Sequence, residues 1–168
     1  MKFSKKGIIL LLIALAGLSF IIFNYSQQAD QRLGNAASKT ANSQKAASLD
    51  ADGKAAKAVF EKTLQASNEE DADSYVACLI PKARKNTKTQ LSKFFKEQDV
   101  TNTLQSYQVL KKKDGHLLAE AKVKSINNTK DQKKYRDNIA TLNVSSVKQD
   151  GKWLIDLTTT IDTQLLKK

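Results

Sequence analysis

The sequence predicts an α+β domain behind an N-terminal transmembrane helix, with three helices packed on one face of a curved antiparallel sheet of about four strands. Three observations carry this reading. Residues 7–23, GIILLLIALAGLSFIIF, run 17 residues without a charge. From Asp52 to Gln98 apolar residues recur at spacings of three and four. After Thr103 the period falls to two, and Asp114-Gly115 and Asp150-Gly151 punctuate the alternating segments as hairpin turns.

The apolar run comes first in the chain. As a helix it is ~26 Å long at ~1.5 Å per residue, just inside the range for spanning a ~30 Å hydrocarbon core. Lys2, Lys5 and Lys6 precede it and no early basic cluster follows, so residues 1–6 are read as a cytoplasmic tail and the remainder as extracytoplasmic. A cleaved signal peptide has a similar start, but this run ends in Phe20, Ile21, Ile22 and Phe23 with no small-residue cleavage pattern close behind. Residues 24–50 are rich in Ser, Ala, Gln and Asn and too polar to fold alone. As a flexible coil they reach about 30 Å, and the folded domain occupies 51–168.

Ala55, Val59, Phe60, Thr63 and Leu64 give a first helix ending near Ala66. Ser67 or Asn68 is expected to cap a second, with Glu69, Glu70, Asp71 and Asp73 crowding its first turn, where anions suit the helix dipole. Tyr75, Val76, Leu79 and Ile80 form its buried face, and Pro81 ends it or opens the next segment. A third helix is expected from Thr87 to Gln98, with Leu91, Phe94 and Phe95 inward. Strands follow over 104–111, 116–126 and 134–149, the last with a bulge expected near Ala140. Trp153, Ile155, Leu157 and Ile161 are expected to alternate on one face of a final strand, with Asp156 opposite. Cys78, the single cysteine, has no internal disulfide partner and reads as a small buried apolar residue.

The polar joint in ASNEEDADSYVACLIP and the last hairpin KQDGKWLIDL resemble the nuclear transport factor 2-like superfamily, which includes SnoaL-like domains. The resemblance covers roughly 52–163 and departs from the family by lacking a strand between the second and third helices. It implies a cone-shaped fold that either encloses a ligand or catalytic pocket or serves as an interaction module. Membrane-tethered versions include envelope proteins and scaffold subunits of secretion and conjugation machinery.

Catalysis on this fold would need polar groups converging inside the cone. Asp156 and Tyr107 are the candidates for such a pocket; Tyr135 reads as core or rim, and His116, the only histidine, sits at a hairpin tip. The acidic run at 69–73 lacks the frame of a calcium loop, and there is no zinc ligand set, glycine-rich phosphate loop or serine triad, so no cofactor or metal is expected. The net charge of +11 divides into +4 over residues 1–50 and +7 over 51–168. Two basic runs, Lys82, Arg84, Lys85 and Lys88, and Lys111, Lys112 and Lys113, are candidate contacts for anionic lipid, wall polymer or envelope proteins. They lack the interleaved aromatics of a nucleic-acid surface. The expected function is a non-catalytic, single-pass membrane protein presenting an interaction domain, as an accessory of an envelope assembly such as secretion or conjugation machinery, with self-association left open. A small-ligand binder or enzyme using the cone interior is the alternative. N-terminal sequencing of the protein from membranes is expected to begin at or next to Met1; a start beyond Phe23 would show cleavage.

Overall fold

A computed structural model describes residues 49–129 and 135–167. The expected span 7–23, and the linker up to residue 48, lie outside the described residues; within them, no helix is long and apolar enough to cross a membrane. The chain folds into α1 (Ala51–Asn68), α2 (Ala72–Ala77), α3 (Pro81–Glu97), β1 (Val100–Lys113), β2 (His116–Asn127), β3 (Asn138–Gln149) and β4 (Lys152–Leu165). The strands form one antiparallel sheet in the order β1-β2-β3-β4, each paired with its neighbour in sequence.

All three helices lie on the same face. Phe60 and Leu64 of α1, Val76 of α2, Leu79 beyond it and Leu91 of α3 share a buried cluster with Ala121, Val123, Ala140, Leu142, Val144 and Ile155 of the sheet. The alanines keep the sheet surface low enough for the helical side chains to fill the space above it. Both Asp-Gly turns are two-residue hairpins in which aspartate and glycine adopt positive φ, 49° and 73° at 114–115 and 49° and 75° at 150–151. Paired positive values make type I′ turns, whose twist matches that of the strands.

Several expectations shift. Asp71, not Ser67 or Asn68, caps α2: its carboxylate accepts from the Asp73 and Ser74 amides, both at 3.0 Å. Helix α3 starts at Pro81 rather than Thr87, because a proline at the first helical position surrenders only an amide that would be unpaired there. Tyr135 precedes β3 and packs with Val100 and Phe94 instead of beginning the strand. No bulge interrupts β3 at Ala140: burial alternates without a break from Asn138 to Ser146, and the β2–β3 register is continuous.

The bulges fall on the edge strands. In β4 the register skips Asp156 and Ile161. The first skip reverses the phase, so Leu157 pairs with outward-facing Ser145 and leaves the core face, and Ile161 is 53% exposed. The expected single face Trp153-Ile155-Leu157-Ile161 therefore holds only for its first two members. Where the resemblance lacks a strand, a single bridge remains. The Ile80 amide donates to the Ile155 carbonyl at 3.0 Å, and the Ile155 amide donates to the Cys78 carbonyl at 2.9 Å.

The other end of the cone is polar but satisfied. The Asn68 side chain pairs with edge strand β1 as a backbone would, accepting from the Asn102 amide at 2.7 Å and donating to its carbonyl at 3.0 Å. The Asn102 side chain in turn accepts from Ser125 at 2.7 Å and donates to Ser67 at 3.3 Å. Removing one member leaves buried groups unpaired, so Asn102→Ala is expected to cost about 1–3 kcal/mol, read as a lower urea midpoint at unchanged slope. An unchanged midpoint would show that water replaces these bonds.

Candidate functional site

The densest arrangement of charge lies where the chain enters the domain. Asp50 caps α1, accepting from the Gly53 amide at 2.8 Å. Gly53 is buried against Val109 of β1, and a Cβ there would stand 3.3 Å from the valine methyl, so the first turn of the helix lies close on the strand. Asp52, in that same turn, gathers three strands. Its Oδ1 accepts from Trp153 Nε1 of β4 and from Lys148 Nζ of β3, both at 3.1 Å. Its Oδ2 accepts from Lys112 Nζ of β1 at 3.3 Å, and Lys112 also binds Asp50. The Lys148 ammonium stands 5.9 Å from the centre of the Trp153 ring. These residues, with Lys113, Asp114 and Gly115, line an open cleft of ≈ 380 Å³ between the two hairpin tips.

The electrostatics follow from these contacts. Hydrogen bonds from Lys148, Trp153 and Lys112 hold the Asp52 carboxyl below its ordinary value of 3.8. Bonds from Lys112 and the Gly53 amide do the same for Asp50. Lys112 is correspondingly raised by Asp50 and Asp52. The indole is 5% exposed, packed with Ala56, Leu117 and Ala119, so its N–H reaches Asp52 while its ring stays in the core.

The residues singled out from sequence are dispersed. Tyr107, on the core face of β1, packs against Phe60 with ring centroids 6.0 Å apart. Its buried hydroxyl has no hydrogen-bond partner, and burial pushes its pKa up to about 12. Asp156 occupies a bulge on β4, where its carboxylate lies 3.6 Å from Lys82. β1 and β4 are opposite edges of the sheet, so about three interstrand spacings, ~14 Å, separate the two. They do not form one pocket.

The basic runs also divide. Lys112 turns to the core side of the sheet and into the Asp50–Asp52 cluster, while Lys111 and Lys113 belong to the opposite face. Lys88 bonds Asp73 at 2.5 Å, and Arg84 donates to the Leu79 carbonyl at 3.0 Å. Lys85 stays exposed. His116 is exposed at the start of β2, and Cys78 is buried, its thiol pushed up by desolvation. Asp52 is not singled out by sequence reasoning, since its partners lie 60 to 101 residues away. The available signal is an aspartate in a first helical turn together with a lone tryptophan whose N–H needs an acceptor.

Set against known proteins, the family described as "Anti-sigma-I factor RsgI9, C-terminal domain" matches residues 58–166. Among solved structures, a protein with a cystatin-like fold from Nostoc punctiforme is 12% identical, with TM-score 0.55 over 70% of this chain and 93% of its own. A putative scytalone dehydratase from Novosphingobium aromaticivorans is 13% identical, with TM-score 0.54 over 68% and 87%. A putative calcium/calmodulin dependent protein kinase II association domain from Xanthomonas campestris is 18% identical, with TM-score 0.55 over 72% and 96%. These neighbours show the fold, which is nuclear transport factor 2-like as the sequence resemblance implies. No curated protein sequence matches.

Two measurements probe this geometry. Tyr107→Phe removes an unpartnered buried hydroxyl and is expected to leave the melting temperature unchanged or raise it; a clear fall would reveal a bond made by that hydroxyl. Asp52→Asn is expected to lower the melting temperature at pH 7. A carboxyl depressed in the folded state contributes above its ordinary value and loses that contribution as pH falls through the folded one. Wild type should therefore lose more stability than the variant as pH falls from about 5 to 2. Equal acid dependence would remove Asp52 from this role.

Proposed function

The chain belongs to the family of the C-terminal domain of anti-sigma-I factor RsgI9, and from that membership we propose that residues 51–168 form a non-catalytic regulatory or accessory module. It is presented outside the membrane on a single span at 7–23 and engages other proteins of the cell envelope. The matched segment comes after the apolar run, so on this topology it lies on the opposite side of the membrane from any sigma factor in the cytoplasm. Its direct contacts are therefore envelope components, and any signal it detects must pass along the chain that leads to the span.

The observation that carries this reading is the convergence on Asp52. Side chains from β1, β3 and β4 meet on the helical turn where the chain from the membrane enters the domain. A partner that shifts the sheet changes the hold on that turn, and the change is communicated to the linker. The contrary reading, a ligand or reaction inside the cone, needs convergent polar groups. Its two candidates, Tyr107 and Asp156, are on opposite sheet edges. The matched family is described as part of an anti-sigma factor, so the assembly is taken to be a regulatory one.

The test is photo-crosslinking of the full chain in its native membrane from exposed positions around the cleft, such as Lys113 and Lys152. A discrete protein adduct in wild type that weakens in Asp52→Asn is expected. No protein adduct from any exposed position, or a small-molecule turnover that depends on Tyr107, would sink the proposal.

A further inference from the structure

Helix α3 carries a pattern that its own stability does not explain. Lys82, Arg84 and Lys85 crowd its N-terminal end, where the positive end of the helix dipole favours anions. Ile80, at the cap position, supplies no side-chain bond, and the first turn holds no acid to offset the three cations. Asp156 holds Lys82 and the Leu79 carbonyl holds Arg84, whereas Lys85 has no such partner among the described residues, and a local rule broken without compensation points to function.

The cations continue along one ridge. Positions 82, 85, 89, 93 and 96 recur at three- and four-residue steps and face away from buried Thr87 and Leu91. Lys82, Lys85, Lys93 and Lys96 lie along it, Thr89 completes the ridge, and no acid interrupts it. Lys82 is held by Asp156. Lys85, Lys93 and Lys96 have no ion-pair partner among the described residues. Lys57, Lys88, Lys112 and Lys148 bind carboxylates, whereas Lys54, Lys62, Lys111, Lys122, Lys124 and Lys152 resemble the ridge in having no ion pair among the described residues; what sets the ridge apart is its alignment on one helix face.

We propose that this ridge, through Lys85, Lys93 and Lys96, docks the domain on the anionic phospholipid headgroups of the membrane in which the chain is anchored. The inference rests on the anchored topology proposed above. The chain between the apolar run and Asp50 is about 26 residues, a length whose reach as a coil is about 30 Å on average. A tether of that length holds the ridge at high effective concentration against the bilayer surface. A lysine at an anionic surface contributes about fivefold to partitioning, so three together contribute about a hundredfold, enough to decide whether a tethered domain lies down or stands off. Docking occupies α3 and leaves the outer sheet face and the hairpin-tip cleft open to a partner.

The full chain is placed in nanodiscs of phosphatidylcholine alone or of phosphatidylcholine with phosphatidylglycerol, and lysine acetylation rates are read by mass spectrometry. In anionic discs the rates at Lys85, Lys93 and Lys96 are expected to fall severalfold relative to neutral discs. The rates at Lys111 and Lys113 should stay level, and 0.5 M salt should restore the three. Equal rates in the two discs, or protection spread over all lysines, overturn the proposal. So does protection by added soluble polyphosphate with none by anionic lipid, which would assign the ridge to a wall polymer. A chain that does not co-elute with discs at all overturns the anchored topology itself, a failure distinct from any of these.

Discussion

The fold depends on how one helix is fixed across a sheet that would otherwise pair only with itself. Each strand is satisfied by its neighbour in sequence, so backbone pairing says nothing about where α1 lies. Asp52 supplies that information. Its ion pairs are partly exposed and individually worth little; their value is positional. The indole N–H of Trp153 sits in a nearly closed environment and needs an acceptor, and Asp52 is the one it finds. Moving α1 by one turn would leave a buried donor unsatisfied and three lysine–carboxylate contacts unmade. The short contact of Gly53 with Val109 fixes the same turn from the apolar side.

Apolar side chains cluster between the helices and the sheet. Alanines at 56, 119, 121 and 140 form low ground on which Phe60, Leu64 and Leu91 sit, and Tyr107 reaches in from the edge without finding a polar partner. Such an interior transmits displacement well, because close-packed side chains cannot absorb it.

Much of this is readable from the chain. The Asp-Gly pairs, with apolar alternation around them, determine two hairpins by local backbone chemistry, and the helical spacing of Val59, Phe60, Thr63 and Leu64 determines α1. The departures have physical causes. The phase of β4 after Ile155 depends on bulges that arise from cross-strand register, so local alternation points Leu157 and Ile161 inward when they are not. Pro81 allows two readings in sequence, the end of one helix or the opening of the next, and in the structure it opens α3, six residues before the expected Thr87. The lysine runs are contiguous in sequence, yet alternation along β1 sends Lys112 to one side and Lys111 and Lys113 to the other. Asp52 escapes sequence reasoning because none of its partners is local.

That remoteness has a consequence for order in time. The hairpins close over two-residue turns, while Lys112, Lys148 and Trp153 stand 60, 96 and 101 residues from Asp52 along the chain. Loop-closure entropy places such contacts after the local ones, once the strands that carry them have assembled and narrowed the search. β4 follows the other three strands in the chain and provides the indole, so the clamp is complete only once β4 has joined the sheet. A truncated or unravelled domain therefore lacks the hold on the first turn of α1, and that turn reports whether the fold is complete.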